Sequence, residues 1–295
     1  MKKTKNISGK IFDFANILLL VILAIVTLYP CYYVLVASVS DPVAIYSGKG
    51  LLLWPKDFAL YSYIEVAKNA MLWIGYRNTL FYVVAGTFLS VMLTASAAFC
   101  ASRRNLPGKN IIMFLIMLTM YFQGGLIPSY LVVKNLGLLD TPFAMILPGA
   151  MSTYNLIITL NYFRGIPNSM EEAAKIDGAG DLSVFIKIML PLATPVIAVI
   201  SLYYAVGIWN NYFTAMIYIT NKKLYPLQMV LREILLQSDT AHASATQMVS
   251  VGESAAYAAN IRFATIVVST IPILCLYPFV QRYFIKGVMI GAVKG

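Results

Sequence analysis

The run SMEEAAKIDGAGD, from Ser169 to Asp181, gathers four of the chain's 12 acidic residues: Glu171, Glu172, Asp177 and Asp181. Clustered carboxylates can exchange protons with a substrate, hold a metal ion, or present charge to another protein. A catalytic pair needs an apolar pocket that shifts one acidity away from the other, and no such pocket is evident around this run. A calcium loop needs the D-x-D-x-D-G spacing, which is absent. Two readings stand at this point: a solvated loop, and a surface that a second protein reads.

The local pattern describes a short helix. Ser169 stands three residues before Glu172, a spacing that predicts a capping box. Glu171 and Glu172 suit the positive end of a helix dipole. Gly178 is placed to supply a left-handed stop, and Asp181 to cap the helix that follows. A two-turn helix is marginal alone in water, so it needs something to dock on. The small side chains of Ala173 and Ala174 would let another backbone come close.

The elements that must position this loop are apolar. The 295-residue chain is 60% hydrophobic and only 12% charged, whereas a soluble domain has about twice that share of charge. Six runs are long and apolar enough to cross a bilayer: roughly 14–38, 79–101, 111–133 (interrupted by QGGLIP), 142–162, 188–218 and 263–284. None has an acidic residue at its centre. The first run exceeds the length of a signal-peptide core and no A-x-A-like site follows it, so it is read as a retained span. The net charge of +10 sits at the ends of these runs, which fits membrane flanks and argues against a nucleic-acid partner. Cys31, Cys100, Cys275 and the single His242 form no metal or disulfide pattern.

The Lys and Arg residues set the expected orientation. Lys2, Lys3, Lys5, Lys10, Arg103, Arg104, Lys109, Arg164, Lys175, Lys187, Arg282, Lys286 and Lys294 all fall on one side of a six-span chain, and by the positive-inside bias that side is cytoplasmic. The expected layout is a cytoplasmic N-terminus over 1–13, a six-span transmembrane domain over 14–286 with an inner loop at 163–187, and a cytoplasmic tail over 287–295. Of the outer segments, LYPLQMVLREILLQ has apolar residues at helical spacing, so a short surface helix is expected there.

Polar and aromatic groups inside spans are costly unless they face a cavity or a partner. Tyr204, Trp209, Asn210 and Asn211 in the fifth run, Tyr154 and Asn155 in the fourth, and Tyr121 and Gln123 in the third are therefore candidates for a substrate pathway. Interfacial anchoring and hydrogen bonds between helices are the competing accounts. Gly124, Gly125 and Pro128 are placed to break the third helix.

The run EAAKIDGAGDLSVFIKIMLP resembles the signature loop of the permeases of bacterial ATP-binding-cassette (ABC) importers: EAA, three residues, Gly, nine residues, then Ile-x-Leu-Pro. Glu172, Ala173, Ala174, Gly178, Ile188, Leu190 and Pro191 fill every position. GGLIPSYLVVKNLGLLDTPFAMILPGA and LYPLQMVLREIL resemble the oligosaccharide and polysaccharide branch of the carbohydrate importers. The end GVMIGAVKG, with Gly287, Gly291, Val293, Lys294 and Gly295, resembles the tail of the second permease in maltose-type systems.

This resemblance implies an all-α membrane protein of six transmembrane helices with both termini cytoplasmic, in the type I importer permease fold. It implies that Glu172, Ala173, Ala174, Asp177 and Gly178 form a coupling helix seated in an ATPase subunit, and that the tail contacts the ATPase subunits. The implied partners are a second homologous permease, two ATP-binding subunits, an extracellular solute-binding lipoprotein, an oligosaccharide and the lipid bilayer of a bacterial cell membrane. The chain has no G-x-x-x-x-G-K-[ST] phosphate loop, so ATP and magnesium are expected on the partner subunits and no catalytic residue or cofactor here. The alternatives are a peptide or amino-acid importer, and an ion-driven carrier. Such a carrier usually has ionisable groups in mid-span, and none is present here.

Overall fold

The computed structural model describes residues 7–47, 51–103, 106–245, 256–257 and 260–275. It is helical, with no β-strand among the described residues. The chain forms two compact units, one of residues Met1–Asn69 with Glu233–Thr270, the other of Ala70–Arg232 with Ile271–Gly295.

In the first unit, α1 (Ile7–Ser38) is long and apolar enough to cross a membrane over Gly9–Ser38. Its side chains from Ile11 to Leu28 are largely exposed on every side, as suits a helix solvated by lipid. After it come α2 (Pro42–Ser47) and α3 (Tyr61–Lys68). Val36, Ala37 and Leu52 form a small core with Phe263 against it. Asn260 donates from Nδ2 to the Ser40 carbonyl at 2.8 Å.

The second unit is built on α4 (Ala70–Ser102), the other helix among the described residues long enough to span alone. Its buried face is dominated by small and hydroxylic residues: Gly75, Thr79, Gly86, Ser90, Thr94, Ala95 and Ala98. Small residues at such intervals let helices approach closely where lipid removes the hydrophobic driving force. Around α4 lie α5 (Lys109–Tyr121), α6 (Leu126–Asn135), α7 (Pro142–Ile146), α8 (Thr153–Arg164), α9 (Asn168–Ile176), α10 (Asp181–Val184), a π-helical turn (Phe185–Met189), α11 (Leu190–Leu192), α12 (Thr194–Trp209), α13 (Phe213–Tyr218) and a 3₁₀ turn (Lys222–Leu224). The chain then enters α14 (Leu227–Ala245), the helix expected from the LYPLQMVLREIL spacing. The last described helix, α15, is Asn260–Cys275.

The expected spans are met in different ways. The third is a helix pair, α5 and α6, bent by 114° at Gln123–Gly125, where Gly125 has φ +86°. The fourth is not continuous over 142–162. Pro148 and Gly149 interrupt it, leaving the five-residue α7 and the twelve-residue α8. The fifth is also interrupted: Asp181–Leu192 meets Thr194–Trp209 at 82°. The cause is Pro191 and Pro195, whose missing N–H groups break the helical ladder. A π-turn precedes that break, with Leu190 N–H donating to the Phe185 carbonyl. A second interruption at Asn210–Tyr212 separates α12 from α13. Such breaks are tolerated at membrane depth where the freed backbone lines a cavity or is buried in protein.

The main core joins α4, α8, α9, α10, the π-turn and α12 through Val91, Ala95, Ala98, Phe99, Leu156, Leu160, Ala174, Phe185, Val196 and Ile200. The far end of α4 is fastened by polar bonds. Asn78 Nδ2 donates to the carbonyls of Lys223 (2.8 Å) and Tyr225 (3.0 Å), Tyr82 Oη donates to Leu224 (2.9 Å), and Thr79 Oγ1 accepts from Leu227 N–H (2.8 Å).

Candidate functional site

The acidic run folds as α9, and its ends differ from expectation at two points. The helix begins at Asn168, with Pro167 in the cap position and no side-chain cap. Ser169 lies inside the first turn with helical backbone, so the capping box with Glu172 does not form. The helix after it starts at Asp181 itself, with Gly180 in the cap position. Asp181 therefore does not cap; its carboxylate lies 3.4 Å from Lys175 Nζ. The other end is as expected. Gly178 adopts φ +82°, its N–H reaches the Lys175 carbonyl (3.1 Å), and Ala179 N–H reaches the Ala174 carbonyl (2.9 Å). That pair of bonds is a Schellman motif.

The two glutamates have separate fates. Glu172 is exposed, together with Ala173, Asp177 and Gly178. Glu171 turns inward, with its side chain 19% exposed. It pairs with Arg103, just beyond the end of α4, and with Lys175 Nζ at 2.9 Å. Burial opposes its charge, but hydrogen bonds from Lys175 and Arg103 outweigh that and hold its carboxyl below the usual glutamate range. The Arg103 guanidinium also lies 4.1 Å over the Phe99 ring, which packs 5.0 Å from the Phe185 ring in the π-turn. A continuous set of contacts thus runs from α9 to α4 and into the start of the bent fifth element.

Ala174 does not contribute to a docking face. It is buried in the core, because three residues on from Glu171 it shares that inward face. The outward face instead carries Met170, Ile176 (86% exposed) and, just beyond, Leu182. Sequence reasoning passed over these three. Apolar residues in an otherwise polar loop were the available signal. Beside α9 lies a cleft of about 680 Å³ whose lining includes Arg103, Lys109, Arg164, Glu171, Glu172, Lys175 and Asp181.

The proposed pathway residues divide into two groups. Tyr154, Asn155, Tyr204 and Asn211 line one cavity of about 630 Å³, with Ser152, Tyr203, Thr214 and Tyr218. Gln123 lines a second, of about 540 Å³, which shares Ser129, Thr214 and Tyr218 with the first. Tyr204 Oη is fixed by Thr94 Oγ1 (2.6 Å) and by Ser152 N–H (2.9 Å). Asn211 Oδ1 accepts from Thr214 N–H. Trp209, Asn210 and Tyr121 line neither cavity. Trp209 is buried with its ring edge-on to Tyr76. Asn210 is exposed and donates to the Val206 carbonyl of its own helix. Tyr121 is 83% exposed at the end of α5. Gly291, Val293, Lys294 and Gly295 lie outside the described residues.

Sequence reasoning also missed Asp140. It has φ +55°, and its carboxylate accepts from Thr220 N–H (2.6 Å), Thr220 Oγ1 (2.5 Å) and Asn221 N–H (2.8 Å). The Thr220 hydroxyl and then the two amides hold its pKa below the usual carboxylate range. A depressed carboxyl stabilises the fold above its unfolded value, about pH 3.9, and the clamp is lost as pH falls through the folded value. Asp140→Ala is expected to raise hydrogen exchange at Thr220 and Asn221 about tenfold or more, and mass spectrometry of this segment at neutral pH checks it.

Residues 72–290 match the family of binding-protein-dependent transport system inner membrane components. Protein LplC of Bacillus subtilis is 40% identical over 295 residues, all of this chain and 98% of that protein. The polygalacturonan/rhamnogalacturonan transport system permease protein YtcP of the same organism is 42% identical over 97% of this chain and 99% of that one. Among solved structures, a chain of a bacterial ABC transporter involved in the import of the acidic polysaccharide alginate superposes with TM-score 0.85 and 34% identity, covering 95% of this chain and 98% of that one. With the signature run beginning as a short helix that Gly178 ends, these matches make the chain a member of the binding-protein-dependent transport system inner membrane component family.

Proposed function

We propose that this chain is one permease subunit of an ABC importer that carries oligosaccharides across a bacterial cell membrane. A solute-binding lipoprotein delivers the sugar, a second, homologous permease completes the pathway, and two ATP-binding subunits supply the energy. ATP and magnesium reside on those subunits, and this chain holds no cofactor. The observation that carries the reading is the signature loop: a short rigid helix whose Glu172 face is exposed while its Glu171 face is bound to the permease. The names of relatives along nearly the whole chain support a saccharide cargo.

Six spans with both termini in the cytoplasm remain our reading of the topology. Cross-ties support it. Arg103 and Glu171 join two loops assigned to the cytoplasm, and Asp140 with Thr220 joins two segments assigned to the outside. Alternating spans require such pairings. In the proposed cycle, closure of the ATPase subunits pushes α9, and its contacts to α4 and the π-turn carry the displacement toward the cavity.

The test is uptake by the assembled complex in proteoliposomes. Glu172→Ala removes charge from the exposed face without touching the Arg103 pair. It should lower uptake about tenfold, a loss of about 1.4 kcal/mol in coupling, with ATP hydrolysis retained and assembly unchanged. Normal sugar uptake by this variant would sink the coupling assignment.

A further inference from the structure

The cavity at the start of α8 has an electrostatic character that its residue types conceal. No Asp, Glu, Lys, Arg or His is among its described lining residues, nor among those of the adjoining cavity. A positive end is nonetheless present. The twelve-residue α8 begins beside Pro148 and Gly149, in the middle of an apolar run, and opens on the cavity at Ser152 and Tyr154. Leu156 N–H is taken by the Ser152 carbonyl and Asn155 N–H by Ser152 Oγ. The amides of Thr153 and Tyr154 have no acceptor among the described residues, as the first turn of a helix dictates. Their partial charge amounts to about half a positive unit.

A second observation points to a ligand there. Asn155 is 4% exposed and lines the cavity. Its carboxamide has no hydrogen-bond partner among the described residues. The carboxamide opens on the cavity, so an occupant with a matching group can hydrogen-bond to it without displacing a protein partner. The nearby Tyr204 Oη is already committed, held by Thr94 and by Ser152 N–H. The Tyr154 amide at the first turn and the Asn155 Nδ2 are donors on one side of the cavity. Tyr154 and Tyr203 stand with ring centroids 6.5 Å apart, offering faces to a sugar ring.

We propose that the N-terminus of α8, with Asn155 and the Tyr154–Tyr203 pair, is a subsite for a uronate unit, whose carboxylate accepts from the helix amides and the Asn155 side chain. An ionised carboxylate is an acceptor-only group, which suits the free amides and the positive end of the helix dipole. A doubly charged phosphate would lose more hydration in an uncharged cavity. A helix dipole without a cation holds an anion loosely, and a transporter requires binding weak enough to release. The arrangement of a broken helix with its N-terminus toward an anionic group is a recurrent solution at membrane depth. The inference rests on the oligosaccharide-importer reading above and names the chemical class of its cargo.

The test compares Asn155→Asp with Asn155→Leu in the complete transporter, reconstituted with its solute-binding protein and supplied with tetragalacturonate at pH 8. A site for a carboxylate should lose about tenfold with leucine and at least about fiftyfold with aspartate, because like charge repels. Lowering the pH to 5.5 should restore part of the aspartate variant's uptake. A site for sugar hydroxyls would give the opposite order, since aspartate still accepts from them; aspartate equal to or better than leucine overturns the proposal. If the Asn155 variants fail to assemble, Gly149→Asp against Gly149→Asn asks the same question. Gly149 lines the same cavity, and a Cβ there meets nothing within 4 Å. Gly149→Asp should transport far less tetragalacturonate than Gly149→Asn, and equal transport overturns the subsite. Uptake of neutral arabinotetraose but no tetragalacturonate by the unaltered complex overturns the subsite and leaves the importer reading intact. Uptake of neither sugar overturns both.

Discussion

Glu171→Arg is expected to reduce uptake at least about thirtyfold while ATP hydrolysis continues. The substitution removes the one carboxylate shared by Arg103 and Lys175 and puts a third cation between them. Breaking a fully buried pair from one side costs about 3–5 kcal/mol; a fifth of this pair is in solvent, so about 2 kcal/mol is the better figure, and each 1.4 kcal/mol is tenfold. Because α9 would no longer be anchored to α4, its motion would be spent on the loop and not on the core. The decisive measurement is the charge exchange. Arg103→Glu combined with Glu171→Arg re-forms the pair and should recover uptake to within about fivefold of the parent. The remainder reflects the lost stacking of Arg103 on Phe99, worth about 1 kcal/mol. A double variant no better than either single one would show that the pair does not transmit motion. The carboxyl of Glu171 is held low, so its contribution is complete above the ordinary glutamate value, about pH 4.3. It is lost only as pH falls through the lower folded value. The ratio of sugar imported to ATP hydrolysed should therefore be flat from about pH 5.5 to 8.5.

Gly75→Val should deplete the folded protein itself. An ideal Cβ at this position lies 3.1 Å from Leu227 Cα and 3.3 Å from Leu227 N. These are backbone atoms held in place by Thr79, and their neighbours by Asn78 and Tyr82. The obstruction cannot be relieved by a side-chain rotation. Overpacking of this kind costs about 1–3 kcal/mol, and each polar bond lost within a membrane protein adds about 0.6 kcal/mol. Thermal unfolding of the purified subunit complex should drop by several degrees, with most of the chain lost to degradation in cells. Gly178→Ala is the instructive contrast. Nothing lies within 4 Å of its Cβ, and only the positive φ opposes a side chain, at about 1–2 kcal/mol. Wild-type thermal stability in Gly75→Val would contradict the close approach described for α4.

The helix α9 was legible because its determinants are local. Gly178, the glutamates and the apolar run after them lie within a few turns, and spacing alone predicts a helix with a left-handed stop. Its start was misjudged by two residues. Pro167 has a backbone suited to the cap position, and that displaced the serine. Arg103 was invisible as a partner, since 68 positions separate it from Glu171 and only the packing of α8 against α4 brings them together. The third break was marked by paired glycines. The fourth was obscured because Pro148–Gly149 sits in an otherwise apolar run, where hydropathy is blind to a bend. Four of the eight pathway candidates, Tyr154, Asn155, Tyr204 and Asn211, line one cavity. The pattern could not separate Asn211, which faces that space, from Asn210, which points away one residue earlier.

The uncharged lining of the two cavities has a thermodynamic consequence. Among the described residues, the cavities present tyrosines, amides and hydroxyls, and no group whose protonation changes near neutral pH. Binding at these groups would be unlinked to proton uptake or release, and a proton gradient would do no work through them. On the importer reading, the free energy for concentrating the cargo arrives mechanically, through α9.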